Sequence, residues 1–201
     1  MPEQQQKKSK TCRRCQTEKS AEEYYDIKRS YCAECERVDR REGMRRYGAT
    51  LRGKSAGALQ STRKAIRKLE AEHNIEIKDT LTVDDVIAVL SQQECSYCGD
   101  KTELRDRTLD HISPMRYSQK NTPGNVTMAC GRCNQSKNDM PLIMYAAQQD
   151  IDKTKIGDLI FEMAAKEKVY VEDVVQQLSE SGTLYFDSRA IKAIEKIEET
   201  N

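Results

Sequence analysis

Every cysteine in this sequence belongs to a Cys-x-x-Cys pair, and this spacing constrains the fold more than any other feature. The four pairs are Cys12/Cys15, Cys32/Cys35, Cys95/Cys98 and Cys130/Cys133. Four thiolates can hold one zinc ion in a tetrahedral site, which closes a loop that is too small to fold alone. The spacing therefore predicts two structural zinc sites with four cysteine ligands each.

Disulfide bonds are the competing explanation for an even number of cysteines. Disulfide frameworks belong to secreted chains, and the first ten residues contain no apolar signal-peptide core. Thioredoxin-like redox chemistry needs one Cys-x-x-Cys pair on a βαβ unit, whereas this chain has four pairs in two sets. The sequence also lacks a run of about 18 apolar residues, so we expect an intracellular protein without a membrane segment.

A single large hydrophobic core is not expected. Apolar residues make up 37% of the chain and aromatic residues 5%, with no tryptophan, so small modules braced by metal and joined by helices fit better. We expect five regions: a disordered tail (1–10), a zinc knuckle with a basic helix (11–48), a helical connector (49–93), a central zinc module (94–140) and an acidic helical region (141–201).

Positive charge is concentrated in the N-terminal third. Residues 1–70 contain 19 lysines and arginines against 10 acidic residues. The arginines of the predicted helix recur at i, i+3 and i+4 spacings: Arg37, Arg40, Arg41, Arg45 and Arg46. Such a stripe can lie along a nucleic-acid backbone without reading its sequence. We therefore predict nucleic-acid binding, with a merely solvated helix face as the alternative.

Helical periodicity dominates the connector and the C-terminal region. Gly53 and Gly57 predict a loop, which is followed by an amphipathic helix over residues 58–73. Thr82 begins a sequence close to a capping box, which predicts a short helix leading to Cys95. Further along the chain, the apolar spacing predicts two separate helical segments at residues 171–178 and 188–197.

The segment between the last two cysteine pairs contains polar groups that a zinc site does not need. It reads L-D-H-I-S-P from Leu109 and N-V-T-M-A-C-G-R-C-N-Q-S-K from Asn125. We predict a strand, a turn at Pro123-Gly124, a returning strand and then a helical turn. This order places Asp110 and His111 opposite Asn134.

These side chains suit phosphodiester hydrolysis. The pKa of a histidine lies near neutrality, so His111 can act as a general base. Asp110 and the amide oxygen of Asn134 are hard oxygen ligands for Mg²⁺ or Mn²⁺. Asn125 can hold either the imidazole or its loop in place. The cationic candidates for phosphate contacts are Lys137, Arg105 and Arg107.

The combined pattern resembles the HNH endonuclease motif, a ββα-metal finger. The residues that carry the resemblance are D-H-I-S-P, N-V-T-M and C-G-R-C-N-Q-S-K, with C-S-Y-C upstream, over about residues 94–140. The resemblance implies that His111 is the general base, Asp110 the neighbouring metal ligand and Asn125 the middle asparagine. Asn134 stands where the family usually has its final histidine, which resembles the H-N-N version of the endonuclease VII type. An amide oxygen suits Mg²⁺ as a ligand.

The resemblance also sets expectations for the whole chain. It implies an α+β fold, in which a small zinc-stabilised ββα-metal (HNH) finger is embedded in a mostly helical chain with an N-terminal four-cysteine zinc knuckle. It implies metal-dependent DNA hydrolysis, with Zn²⁺ in two structural sites and Mg²⁺ or Mn²⁺ in the catalytic site. The basic region resembles that of bacteriophage HNH proteins, so we expect action in a host cytoplasm, as a homodimer or with a phage DNA-processing partner. The alternative is a non-catalytic zinc-stapled nucleic-acid-binding protein.

Overall fold

The chain divides between Thr50 and Leu51 into two units, and each unit is built around one four-cysteine cluster. The computed structural model describes residues 9–198, including the side chains of residues 9–191. The expected disorder of residues 1–8 therefore lies outside the described part of the chain. Because each set of cysteines is complete within one unit, each zinc site can close its unit independently.

A small two-stranded sheet opens the N-terminal unit. Strand β1 (Ser9–Thr11) pairs antiparallel with β2 (Glu18–Ser20), and the first cysteine pair lies between them. Ser9 and Lys10 are thus structured, in contrast to the expectation of a disordered tail up to residue 10. The ammonium group of Lys10 donates to the backbone carbonyls of Ile27 (2.9 Å) and Arg29 (2.6 Å), and these bonds fix β1 to the zinc loop.

Helix α1 (Ala33–Gly48) begins inside the second cysteine pair, with Cys32 as its N-cap residue. It ends at Gly48, as the sequence predicts. None of its residues is buried, so packing contributes little to its stability. Arg14 of the zinc loop forms an ion pair with Asp39 of the helix, a contact that contributes little energy at a protein surface.

Helix α2 (Leu51–His73) opens the C-terminal unit and starts earlier than the sequence predicts. The predicted loop around Gly53 and Gly57 is wrong, because both glycines lie inside the helix. A glycine in a helix interior costs about 1 kcal/mol relative to alanine. Packing offsets this cost, since Leu51 joins Leu59 in an apolar cluster with helix α3 (Val83–Ser91).

The capping box predicted at Thr82 is confirmed. The Thr82 hydroxyl accepts a hydrogen bond from the backbone N–H of Asp85 (3.2 Å), and the Asp85 carboxylate accepts one from the backbone N–H of Thr82 (2.9 Å). These reciprocal bonds fix the start of α3.

The central module has the predicted order of strand, strand and helix. Strand β4 (Arg107–His111) pairs antiparallel with β6 (Val126–Cys130). Helix α5 (Gly131–Lys137) begins directly after β6. His111 is the last residue of β4 and lies opposite Val126, the first residue of β6. The candidates His111 and Asn125 therefore lie where the connecting segment joins the two strands.

The segment that connects the two strands reaches back to the upstream part of the unit. It contains a helical turn, α4 (Met115–Ser118), and a short strand, β5 (Lys120–Asn121). Strand β5 pairs parallel with β3 (Lys78–Asp79), which places Asn121 directly opposite Asp79. The hairpin is therefore hydrogen-bonded to a segment outside the central motif.

Three helices complete the unit: α6 (Leu142–Gln149), α7 (Lys153–Glu167) and α8 (Val171–Glu198). The prediction of two separate C-terminal segments is wrong, because α8 is continuous. Its side chains at Leu178, Ser181 and Tyr185 are all buried, and burial of this face on both sides of Gly182 holds the helix together.

The hairpin lies between two apolar clusters. Side chains along a strand alternate between its faces, so Val126 and Met128 pack with α2 and α3, whereas Ala129 packs with α6, α7 and α8. The α+β fold class is confirmed, with the small zinc module enclosed by helices. Within the described part of the chain, none of the helices combines the length and apolar composition that a membrane crossing needs.

Candidate active site

Each set of four cysteines brings its sulfur atoms together. The two clusters are Cys12, Cys15, Cys32 and Cys35, and Cys95, Cys98, Cys130 and Cys133, and in each the Sγ atoms lie within 4.8 Å of one another. Sulfurs that share a tetrahedral zinc with Zn–S bonds of about 2.3 Å lie roughly 3.8 Å apart, and the Sγ atoms of Cys98 and Cys130 are 4.0 Å apart. Both clusters could therefore hold zinc, which fits the predicted structural sites.

Asp110 faces helix α5 and is almost completely buried, with 5% of its surface exposed. Its Oδ2 atom lies 3.0 Å from the Nζ atom of Lys137 and accepts a hydrogen bond from the hydroxyl of Tyr97. Burial and the charge of Asp110 raise the pKa of Tyr97 well above its ordinary value, so this hydroxyl stays protonated as a donor. One carboxylate oxygen of Asp110 thus has both a hydroxyl and an ammonium group as partners.

The other carboxylate oxygen of Asp110 has no hydrogen-bond partner among the described residues. Asn134 lies one helical turn before Lys137 on the same face of α5, and its side chain likewise makes no hydrogen bond there. Each residue thus offers one oxygen of the hard type that Mg²⁺ and Mn²⁺ prefer. Oxygen atoms of this type fit a divalent cation that also takes ligands from water and phosphate, and a cation shared by Asp110 and Asn134 stays a prediction.

His111 points to the opposite face of β4. Its Nε2 atom lies 2.9 Å from the Oδ1 atom of Asn121. Burial lowers the pKa of His111, although the hydrogen bond to Asn121 and the charge of Asp110 act in the other direction. The imidazole is therefore neutral near pH 7, as a general base must be. The expectation that it lies opposite Asn134 together with Asp110 is wrong, because successive residues of a strand point to opposite faces.

Asn125 holds the loop after β4 rather than the imidazole. Its Oδ1 atom accepts from the backbone N–H of Ser113 (2.9 Å), and its Nδ2 atom donates to the carbonyls of Ser113 (2.8 Å) and Lys120 (2.9 Å). Its side chain is completely buried. The sequence leaves open whether Asn125 holds the imidazole or its loop, and in the structure it holds the loop.

The sequence comparison places a known family on this site. Residues 95–140 match the family model described as HNH endonuclease. Over these residues the chain is similar to an HNH endonuclease domain. They include both cysteine pairs of the central cluster, the Asp-His pair and the helix that carries Asn134.

Relatives of the HNH domain occur within much larger proteins. The CRISPR-associated endonuclease Cas9 of Corynebacterium diphtheriae is 31% identical over 68 residues, which cover 33% of this chain and 6% of that protein. The crystal structure of the Type II-C Cas9 enzyme from Actinomyces naeslundii overlaps 76% of this chain and 15% of its own, at 22% identity and a TM-score of 0.34.

All three cations predicted to contact phosphate have partners within the described residues, and Arg105 forms an ion pair with Asp106 at 3.3 Å. Lys137 is completely buried, and besides Asp110 it contacts the carbonyl of His111 at 2.6 Å. Arg107 donates to the backbone carbonyls of Thr102 (2.8 Å) and Leu90 (3.0 Å). Lys137 therefore stabilises the end of β4 at His111, and Arg107 stabilises its beginning, whereas Arg105 alone of the three is exposed.

Sequence reasoning missed Tyr97 and Asn121 as contributors to the site. Tyr97 is the aromatic residue inside the first knuckle, C-S-Y-C, and a hydroxyl in a buried knuckle is a signal that could have pointed to Asp110. Asn121 lies ten positions after His111 in a segment without periodicity, and no local pattern distinguishes it. Only the pairing of β5 with β3 brings it beside the imidazole.

Proposed function

We propose that this protein is a metal-dependent endonuclease that hydrolyses DNA phosphodiester bonds, with His111 as its general base. The observation that carries the proposal is the arrangement at the end of β4. There a neutral histidine has one ring nitrogen engaged by Asn121, while the adjacent Asp110 keeps one carboxylate oxygen free of hydrogen bonds within the described residues. The Corynebacterium relative is itself named as an endonuclease, which supports the same reaction class.

His111 and Asp110 have different roles because their side chains lie on opposite faces of β4. Nδ1 of His111 takes the proton of a water molecule that attacks the phosphorus atom from one side. Asp110 and Asn134 would hold a divalent cation, which when bound neutralises charge on the phosphate and on the leaving oxygen. The leaving oxygen takes its proton from solvent. Lys137 contacts both Asp110 and the His111 carbonyl, so it keeps the two residues in fixed relation.

The basic N-terminal unit is suited to hold the DNA backbone. Arg40, Arg41, Arg45 and Arg46 are exposed on α1, and within the described residues none of the four forms an ion pair. By contrast, Arg37 is engaged by the hydroxyl of Tyr25 at 3.0 Å. Four such guanidinium groups on one exposed helix can neutralise phosphates without reading bases.

Incubation of supercoiled plasmid with the protein and Mg²⁺ or Mn²⁺ tests the proposal. We expect nicking by the intact protein and by a His73→Ala variant, since His73 is exposed at the end of α2 and its side chain makes no hydrogen bond within the described residues. The His111→Ala variant should be inactive. Retention of DNA in a mobility-shift assay with no cleavage under either metal would instead support the non-catalytic zinc-stapled binding protein.

The assembly of the protein stays a prediction. One HNH centre cuts one strand, so symmetrical cutting of both strands needs a homodimer or a second nuclease. The expected phage DNA-processing partner and the location in a host cytoplasm are likewise predictions that follow from the sequence resemblance alone.

A further inference from the structure

A buried amide connects the candidate base to a carboxylate outside the HNH motif. Asn121 is completely buried, and its two side-chain polar atoms face different partners. Oδ1 lies 2.9 Å from His111 Nε2, and Nδ2 donates to Asp79 Oδ1 at 2.7 Å. Asp79 lies directly opposite Asn121 in the parallel pairing of β3 with β5, so the backbone register fixes this contact.

The hydrogen-bonding capacities of the three groups determine where the protons lie. An ionised carboxylate only accepts hydrogen bonds, so the amide nitrogen of Asn121 must face Asp79. The amide oxygen then faces His111, and because this oxygen also only accepts, Nε2 must carry the ring proton. Nδ1 is thereby left with its lone pair, ready to take a proton from water.

Arg63 of α2 fixes the carboxylate at the far end of this chain of contacts. Its Nε atom lies 2.9 Å from Asp79 Oδ2, and its Nη2 atom donates to the carbonyl of Leu81 at 3.2 Å. Arg63 thus occupies one oxygen of Asp79 and leaves the other to Asn121.

We propose that Asp79 is a positioning residue of the active site, which selects the Nε2–H tautomer of His111 through the orientation of the Asn121 amide. The role in catalysis rests on the proposed nuclease function, whereas the tautomer itself does not. Within the described residues, the side chain of Asp79 contacts Asn121 and Arg63 and makes no hydrogen bond to the proposed cation ligands Asp110 and Asn134. Its effect should therefore appear in the state of the imidazole and in kcat, and not in KM for DNA.

Nitrogen NMR of the imidazole rings tests the tautomer directly. The chain contains two histidines, so a His73→Gln variant assigns both sets of ring signals. In mildly alkaline buffer we expect His111 of the intact protein to show a protonated Nε2 and an unprotonated Nδ1. A protonated Nδ1 in the intact protein would overturn the proposal without any variant.

Two replacements of Asp79 separate its accepting ability from its bulk. Asp79→Leu removes the acceptor that orients the Asn121 amide. Water in its place donates as readily as it accepts, so it does not fix the orientation of the amide. We expect mixed tautomers and a kcat lower by roughly 10- to 100-fold, the usual range for outer residues that orient a site. Asp79→Glu keeps an acceptor-only group at a partly exposed position and should restore the Nε2–H tautomer and most of the rate.

The outcomes distinguish this proposal from the proposed function. An unchanged tautomer in Asp79→Leu, or equal loss in the Leu and Glu variants, overturns the positioning role. If Asp79→Leu loses its fold by circular dichroism, Asp79→Ser, which is too short to reach Asn121, takes its place with the same expectation. An intact protein that cuts no DNA but shows the expected tautomers would refute the nuclease function and leave the amide orientation established.

Discussion

Asn125 and Asn134 are the same residue type in opposite surroundings, and replacing each with alanine should separate stability from catalysis. Asn125 is completely buried and holds the loop between β4 and β5. Asn134 is partly exposed on α5 and makes no hydrogen bond to the described residues. Asn125→Ala should therefore destabilise the C-terminal unit, whereas Asn134→Ala should reduce cleavage.

The expected size of the first effect follows from the bonds that are lost. Asn125 makes three hydrogen bonds of 2.8 to 2.9 Å with backbone groups of Ser113 and Lys120. Each contributes about 1 kcal/mol net, and a buried partner left unpaired adds to the cost. We expect the free energy of unfolding to fall by about 3–5 kcal/mol, a large part of the roughly 5–15 kcal/mol of a typical domain.

The second variant should leave stability almost unchanged. Alanine is a better helix former than asparagine by several tenths of a kcal/mol, and Asn134 gives up no hydrogen bond within the described residues. We expect its free energy of unfolding to stay within about 0.5 kcal/mol of the intact protein. Loss of this proposed metal ligand, however, should lower the cleavage rate by at least about a hundredfold, since charge stabilisation by a metal is worth several kcal/mol.

Urea unfolding followed by circular dichroism measures the first quantity, and plasmid nicking at matched metal concentration measures the second. Zinc content is determined in parallel, so that a lost zinc ion is not mistaken for a lost loop contact. An Asn125→Ala variant with the urea midpoint of the intact protein would refute the role assigned to the loop. An Asn134→Ala variant that cuts at full rate would remove it from the active site.

Four further variants test other parts of the structure. Cys130→Ser should release one zinc ion and unfold the C-terminal unit, as seen by metal analysis and near-ultraviolet circular dichroism, whereas Cys12→Ser should affect the N-terminal unit. Replacing Arg41 and Arg45 with glutamine should weaken DNA binding and reduce the slope of log K against log salt by about 2, with cleavage at saturating DNA unchanged. Lys137→Met should cost about 3–5 kcal/mol in urea unfolding, because it leaves a buried carboxylate without its cation.

Local patterns in the sequence predict the parts of the site that are close in the chain. The Cys-x-x-Cys spacing identifies both sulfur clusters, and the capping box at Thr82 gives the start of α3. The strand–strand–helix order follows from the residues around Asp110 and Asn134. Each of these features depends on neighbours within a few positions, so periodicity and spacing are sufficient to find it.

Contacts between distant segments are the part that the sequence does not reveal. Strands β3 and β5 have two residues each, too few to show an alternating pattern, yet their pairing brings Asp79 beside Asn121. The alternation of β4 determines that Asp110 and His111 face different neighbours, but the identity of those neighbours depends on tertiary packing. Gly53 and Gly57 mislead for the same reason, since burial against α3 outweighs their local preference for a loop.

The HNH motif is shorter than the structure that positions its residues. Upstream of it, Asp79 and Arg63 form the hydrogen bonds that continue from the imidazole through Asn121. Downstream, the buried side chains of Leu159, Met163 and Leu178 pack against the face of the hairpin that carries Ala129. A zinc cluster can close the knuckles, but it supplies neither the acceptor that orients Asn121 nor the apolar cover over Tyr97. The geometry around His111 and Asp110 is therefore a property of the whole unit that begins at Leu51, and residues far from the motif in sequence determine how its two central side chains are held.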